Sequence, residues 1–294
     1  MDRPSRRHPL SGSARGLIPD GLDATLVLVR HGESTLIAQE RFQGQAETPL
    51  SPTGRRQADL VAARLARPHD APALPVPAGE LLEIVHSPLQ RTSQTATTIA
   101  GAIASSGTLA ASRTDGARGA GVPSLRAEPG FLEIGQGVWE GLLATEIGER
   151  YSDLLAAWRR RPLEAWAPGG ESLPEVAERL RPALALVLAR LAEGRPPGTH
   201  DRSQVAGYRD PRPDHPWSIV VGHDGAFKIA LLILFDLPLD RFWMWSMDLC
   251  GISIIELRAG RPVLRAHNLT AHLAGLLDDG AEAELEKRSR SGAL

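Results

Sequence analysis

Three short apolar runs stand out along a chain that otherwise alternates between helical periodicity and turn-rich punctuation. Thr25-Leu26-Val27-Leu28-Val29, Leu81-Leu82-Glu83-Ile84-Val85 and Trp217-Ser218-Ile219-Val220-Val221 are short, apolar and rich in β-branched residues. Such runs predict buried strands. Between them the pattern turns helical. Ser51-Pro52 reads as an N-cap and first helical residue, opening a helix whose pattern runs from Gln57 to Ala66. Leu89 to Ile103 predicts a second helix, and Thr145 to Arg160 a third that begins a cap near Trp158. Ser172-x-x-Glu175 is a capping box for a long helix to Ala192, with Pro182 expected to bend it. Gly225 to Phe235 predicts one more helix. Ile252–Leu257 and Pro262–Ala266, around Ala259-Gly260, predict a closing hairpin.

The ends of the apolar runs carry the chemistry. The first stops in Arg30-His31-Gly32-Glu33, the second leads into His86-Ser87-Pro88-Leu89-Gln90-Arg91-Thr92, and the third stops in Gly222-His223-Asp224-Gly225. Open α/β sheets bind ligands at the C-terminal edge of their strands, where parallel neighbours bring distant segments together. An arginine beside a nucleophile-capable histidine suits an anionic, phosphorylated substrate. Gly32 lets another group approach the backbone closely. The helix from Gly225 would turn its positive end toward His223, which favours a bound anion. Phe131-Leu132-Glu133-Ile134-Gly135 adds a carboxylate in a glycine-flanked loop.

The order Arg-His-Gly, Ser-Pro-Leu-x-Arg, loop glutamate, Gly-His resembles the histidine phosphatase superfamily in its phosphoglycerate mutase-like branch. Arg41-Phe42-Gln43-Gly44, Pro49-Leu50-Ser51 with Gly54 and Gln57-Ala58, Trp139-Glu140-Gly141, Pro168-Gly169-Gly170-Glu171-Ser172 and His267-Asn268 through His272-Leu273 come in the family's order. The resemblance covers roughly residues 24 to 275. It implies that His31 attacks phosphorus and forms a phosphohistidine, dividing one hard hydrolysis into two easier steps. Arg30, Arg91 and His223 would surround the phosphoryl oxygens. Glu133 would protonate the departing oxygen and then take a proton from water, which calls for a raised pKa. Ser34, Gln43, Gly44 and Ser87 would be secondary phosphate or substrate contacts.

Two departures bear on specificity. Six residues after His31 the family commonly has an asparagine that touches phosphate, where this chain has Ile37. Mutases of the family continue from the glutamate with Arg-His-Tyr-Gly, where this chain continues Ile134-Gly135-Gln136-Gly137. The groups that would hold a phosphoglycerate carboxylate are missing, which favours a phosphatase over a mutase.

Composition narrows the picture further. The 294 residues are 42% hydrophobic and 23% charged with a net charge of −2, which excludes an extended basic footprint for nucleic acid or membrane. One cysteine, Cys250, excludes an intramolecular disulfide, fits a reducing, cytoplasmic compartment, and reads as a small buried hydrophobe. His8, His69, His86, His200, His215, His267 and His272 lack metal-ligand spacing and read as structural or exposed, so no metal and no cofactor are expected. Trp243 and Trp245 read as core or pocket wall.

The expected architecture is a three-layer α/β/α sandwich with a mostly parallel central sheet and a helical cap. A flexible leader over 1–22 precedes a domain over 23–275, with a tail over 276–294 at the end. Inserted loops are expected near 107–125 and 194–216, the first rich in Gly, Ala and Ser, the second in Pro, Gly, Arg and Asp. The first 21 residues lack an apolar core and so do not read as a signal peptide. The function expected is a metal-independent phosphomonoesterase acting on a small phosphorylated metabolite, in a chain that could form a homo-oligomer. A phosphoglycerate mutase-type transferase and a non-catalytic binder of phosphorylated ligands are the alternatives.

Overall fold

In a computed structural model of the chain, residues 16–106, 123–194 and 214–276 are described. The first apolar run forms β1 (Ala24–Arg30), buried along its whole length. After it come α1 (Thr35–Ala38), α2 (Pro52–Ala66), β2 (Leu81–His86), α3 (Gln90–Ser106) and the short β3 (Ser124–Ala127). Then come α4 (Ala144–Arg150), α5 (Ser152–Arg160), α6 (Leu173–Glu193), β4 (Trp217–Gly222), α7 (Asp224–Leu234), β5 (Ile252–Arg258) and β6 (Arg261–Leu269).

The sheet has the order β3-β2-β4-β1-β5-β6. β3, β2, β4 and β1 run parallel, whereas β5 and β6 add antiparallel strands at one side. Period-two alternation sorts the side chains between two cores. Leu26, Leu28, Val220, Ile255 and Leu257 face α6 and α7. Val27, Val29, Ile84, Ile219, Val221 and Ile254 face α2 and α3. A slip of β1 by one residue would exchange these sets and carry His31 off the ligand edge, so burial on both faces fixes the site's register. The α/β/α sandwich is therefore as expected. Glu83, the one charge in the second apolar run, is buried but paired to Arg126 at 3.0 Å. Ala259 (φ 47°) and Gly260 (φ 76°) make the tight turn of the β5–β6 hairpin.

Local boundaries differ from the sequence pattern at several points. The helix expected over Thr145 to Arg160 is two, α4 and α5, broken at Tyr151 (φ −130°, ψ 29°). The Tyr151 ring packs on buried Trp139, so the chain turns where that contact is made. α6 runs on as one helix through Pro182. Ile18 and Leu22, assigned to the leader, are buried in the core beside β1. Ser124 and Leu125, assigned to the first inserted loop, open β3 and pair with β2. At the end of the second, the Pro216 carbonyl accepts the Thr25 N–H. Residues 107–122 and 195–213 of these loops, the first 15 residues, and the tail from 277 onward lie outside the described residues. Among the described residues, no helix is long and apolar enough to cross a membrane.

Candidate active site

The site forms where β1, β2 and β4 end. Gly32 continues from β1 against the first turn of α2: a Cβ at Gly32 would collide with the Gly54 carbonyl oxygen. The close approach anticipated at this glycine is thus the packing of a helix start against the strand end. Thr95 on α3 accepts the Gly32 N–H at 3.3 Å, and Gln57 on α2 accepts the Glu33 N–H at 2.8 Å. His31 stands between these fixed points and is fully buried.

Three hydrogen bonds decide the state of the His31 ring. Its Nδ1 lies 2.6 Å from the Gly32 carbonyl oxygen, which can only accept, so Nδ1 carries the proton. Its Nε2 then presents a lone pair. Arg91 Nε donates to it at 3.3 Å, and the Gln43 side-chain amide lies 3.5 Å away. Gln43 is oriented by the Ser34 hydroxyl, which donates to its Oε1 at 2.7 Å, leaving the NH2 group turned toward His31. Burial, then Arg91 and Arg30, hold the His31 pKa well below its ordinary value, against the Gly32 hydrogen bond. The ring is neutral and its reactive nitrogen is unprotonated. The acceptor that fixes this tautomer was not legible in the sequence; it is the backbone of the next residue.

Arg91 is held by two carbonyls, Ala46 at 2.9 Å and Gly44 at 2.7 Å. Gly44 can present its carbonyl this way because its φ is +47°, and a Cβ there would collide with Glu140 and Gln136. Burial lowers Arg91 to about 10, with Glu133 and Glu47 opposing, so the guanidinium remains charged at neutral pH. The His223 ring sits edge-on to His31 at 5.1 Å between centroids. Its Nε2 is 2.8 Å from the Ser87 hydroxyl, and its Nδ1 has no partner among the described residues. Burial and then Arg91 hold His223, too, well below its usual pKa. Arg30 donates to the Met247 carbonyl at 2.5 Å. Two cations, two neutral imidazoles, a hydroxyl and an amide thus converge at one sheet edge, a set suited to phosphoryl oxygens.

Glu133 approaches from another side. It is 6% exposed, and it crowns the N-terminus of α7. Its Oε1 accepts from Ile134 N–H (2.9 Å) and Ala226 N–H (3.0 Å), and its Oε2 from Gly225 N–H (3.2 Å). These bonds and Arg91 favour the carboxylate. Burial and the Asp224 charge outweigh them and raise its pKa. A cleft lined by Gly44, Glu133, Ile134, Gln136, Trp158, Gly225 and Phe242 opens beside it, so α5 does form a cap over this side.

The structure brings all nine residues singled out in the sequence to this edge. Sequence reasoning missed the parts that hold Glu133 in place. Arg179 on α6 donates to the carbonyls of Gly130, Leu132 and Glu133 at 2.8–3.0 Å and grips Glu171 with a two-pronged contact at 2.8 Å. Glu171 in turn accepts from Gly135 N–H and the Gln45 side chain. Glu140 Oε1 accepts from the Gln45 and Gln136 N–H groups, which marks it as a loop brace. A carboxylate in a Gly-Gly-Glu-Ser turn with an arginine eight residues on, one helix face later, was the available signal. Ile37 is buried and offers only its backbone N–H, which goes to Ser34. Of the other histidines, His267 bonds Ser253 and His272 bonds the Cys250 carbonyl; His8 and His200 lie outside the described residues. Cys250 is fully buried, and burial raises its pKa. Trp243 packs edge-on to Trp158 and Phe242. Among the described residues, no three His, Cys, Asp or Glu side chains are placed to hold a metal ion.

A family model described as the histidine phosphatase superfamily, branch 1, matches residues 26–196 and 203–270. The chain belongs to the histidine phosphatase superfamily. It is 29% identical over 251 residues to phosphoserine phosphatase 1 of Hydrogenobacter thermophilus, covering 84% of this chain and 93% of that one. It is 32% identical over 255 residues to a probable phosphoglycerate mutase, GpmB, of Yersinia enterocolitica, covering 84% and 93%. A solved mycobacterial glucosyl-3-phosphoglycerate phosphatase, in complex with VO3, matches with a TM-score of 0.63 at 25% identity, covering 84% of this chain and 100% of that one. Membership, these likenesses and the edge described above make this superfamily member a hydrolase of phosphoric monoesters.

Proposed function

We propose that this chain is a metal-independent phosphomonoesterase that works through a phosphohistidine on a small phosphorylated metabolite. The observation that carries the reading is the His31 ring: Nδ1 bonded to the Gly32 carbonyl, Nε2 unprotonated and flanked by Arg91 and Gln43. In the first step Nε2 attacks phosphorus in line, and the bond from phosphorus to the ester oxygen breaks. Glu133 gives that oxygen its proton. In the second step water attacks the phosphohistidine, Glu133 takes a proton from it, and phosphate leaves with both His31 and Glu133 restored. Arg30, Arg91 and His223 offset the charge on the equatorial oxygens, with Ser34, Gln43, Gly44 and Ser87 setting the pocket's shape. Stabilisation of this kind needs little more than positioned donors and cations.

A phosphatase is favoured over a mutase by the residues just after the acid. Ile134 is buried against α7, and Gly135 is wedged beside Glu171 and Gln45, so the loop directs no cation toward a substrate carboxylate. The test is phosphate release across a panel of sugar phosphates, phosphorylated hydroxy acids and nucleotides, with phosphate transfer between hydroxyls assayed in parallel. A trapped label that is acid-labile and base-stable distinguishes phosphohistidine from a phosphoserine. Release without labelling of His31 would refute the mechanism, and transfer outpacing release would establish the mutase.

A further inference from the structure

The Glu133 proton poses a problem of its own. A carboxylate that accepts three backbone N–H groups at a helix N-terminus is strongly favoured as the anion. Yet the first step needs the acid. The first turn of α7 contains the countermeasure. Asp224, 2% exposed, immediately precedes Gly225 and Ala226, the two α7 residues whose N–H groups hold Glu133. One turn later Lys228, 5% exposed, donates to Asp224 Oδ2 at 2.6 Å. The lysine Nζ is roofed by the rings of Trp243 at 5.1 Å and Phe242 at 5.4 Å. Phe242 also lines the cleft beside Glu133.

We propose that the buried Asp224–Lys228 pair is a positioning device for the leaving-group proton: Lys228, locked under Trp243 and Phe242, holds the Asp224 carboxylate in place at the N-terminus of α7, and that fixed charge keeps the proton on Glu133. This rests on the assignment of Glu133 as the acid. Other charges face the same loop. Arg91 on α3 favours the carboxylate; Arg179 on α6 is bonded to the Glu133 carbonyl, and Glu171 and Glu140 to loop N–H groups; His31 and His223 are neutral. Asp224 is the foremost charge acting on Glu133, ahead of Arg91. Without Lys228, nothing holds the Asp224 carboxylate in this place. Its charge then no longer faces Glu133 from a fixed position, and the acid is lost.

The experiment measures the single-turnover rate of His31 phosphorylation against pH, with an alkyl phosphate and with an aryl phosphate whose phenol is acidic. Asp224→Asn and Lys228→Met should each move the basic limb for the alkyl substrate down by about one pH unit, the scale of a like charge shared in one pocket. The aryl substrate needs little protonation and should keep its limb. The double variant, which removes both charges and leaves neither buried alone, should match Asp224→Asn rather than add to it. Glu133→Gln supplies the reference, since it should abolish the limb. A limb that persists in Glu133→Gln overturns the acid assignment itself. A limb lost in Glu133→Gln but unmoved in Asp224→Asn and the double variant overturns the role of the pair alone, as does an equal shift with both substrates.

Discussion

The two halves of the site are built by different rules. The cradle around His31 is a product of strand ends. β1, β2 and β4 are adjacent in the sheet, so Arg30, His31, Ser87 and His223 are neighbours as soon as the strands pair. The acid half has no such scaffold. Glu133 sits on a loop whose place is set by Arg179 and Glu171 beside α6, by Gln45 and Glu140 from other loops, and by the first turn of α7. The cradle holds its histidines neutral by burial and then by nearby cations; the acid half raises a carboxyl's pKa by burial and a neighbouring anion. Opposite charge environments within one site let it supply both an unprotonated nucleophile and a proton.

Substitutions can break each half separately. The largest effect should come from the cradle: His31→Ala removes the atom that bonds phosphorus, and phosphate release should fall at least roughly 10⁴-fold with no phosphoenzyme trapped. Near wild-type turnover in that variant would remove the nucleophile from the scheme. On the acid side, Glu133→Gln should lower turnover of alkyl phosphates by about 10²–10⁴-fold and of activated aryl phosphates clearly less. Equal losses on both would take the acid role away from Glu133.

Arg179→Lys tests whether the acid half depends on its clamp. A lysine cannot span three carbonyls and a carboxylate, and a misplacement near 1 Å costs about 10²-fold. The expected result is a drop of that order in kcat with KM little changed; a rise in KM alone would place Arg179 on the substrate instead. The neutral histidines predict a smaller effect on stability. Their folded pKa values lie below the unfolded value, so the unfolded state binds protons that the native state refuses as pH falls below about 6.5. The stabilisation they contribute is present above that pH and is lost down through their folded values. Each should lower the Tm by about 2 °C per pH unit in that window, and His223→Asn should flatten the slope. An unchanged slope would mean His223 is not held neutral. The smallest expected effect is that of chelators: activity should survive prolonged chelation, while vanadate should inhibit. A loss restored only by added metal would contradict the metal-free scheme.

Much of the cradle was legible because its parts are local. Arg30-His31-Gly32, Ser87 with Arg91, and Gly222-His223 each sit within a few residues of an apolar run, and the run fixes where they emerge. Glu133 was legible as a residue but not as an environment. Nothing near Phe131–Gly135 announces that Arg179, 46 residues on, donates to its carbonyl, or that Asp224, 91 residues on, charges its surroundings. Nor does the pattern over Thr145–Arg160 reveal the break at Tyr151, because that break comes with a ring contact to Trp139. Apolar runs and helical periods depend on neighbours in the chain, which the sequence states outright, so it determined by itself the layered α/β sheet and the groups at its ligand edge. The His31 tautomer, the raised carboxyl of Glu133 and the paired charges beneath the cap depend on which groups share a low-dielectric space once distant segments pack, and that only the tertiary structure decided.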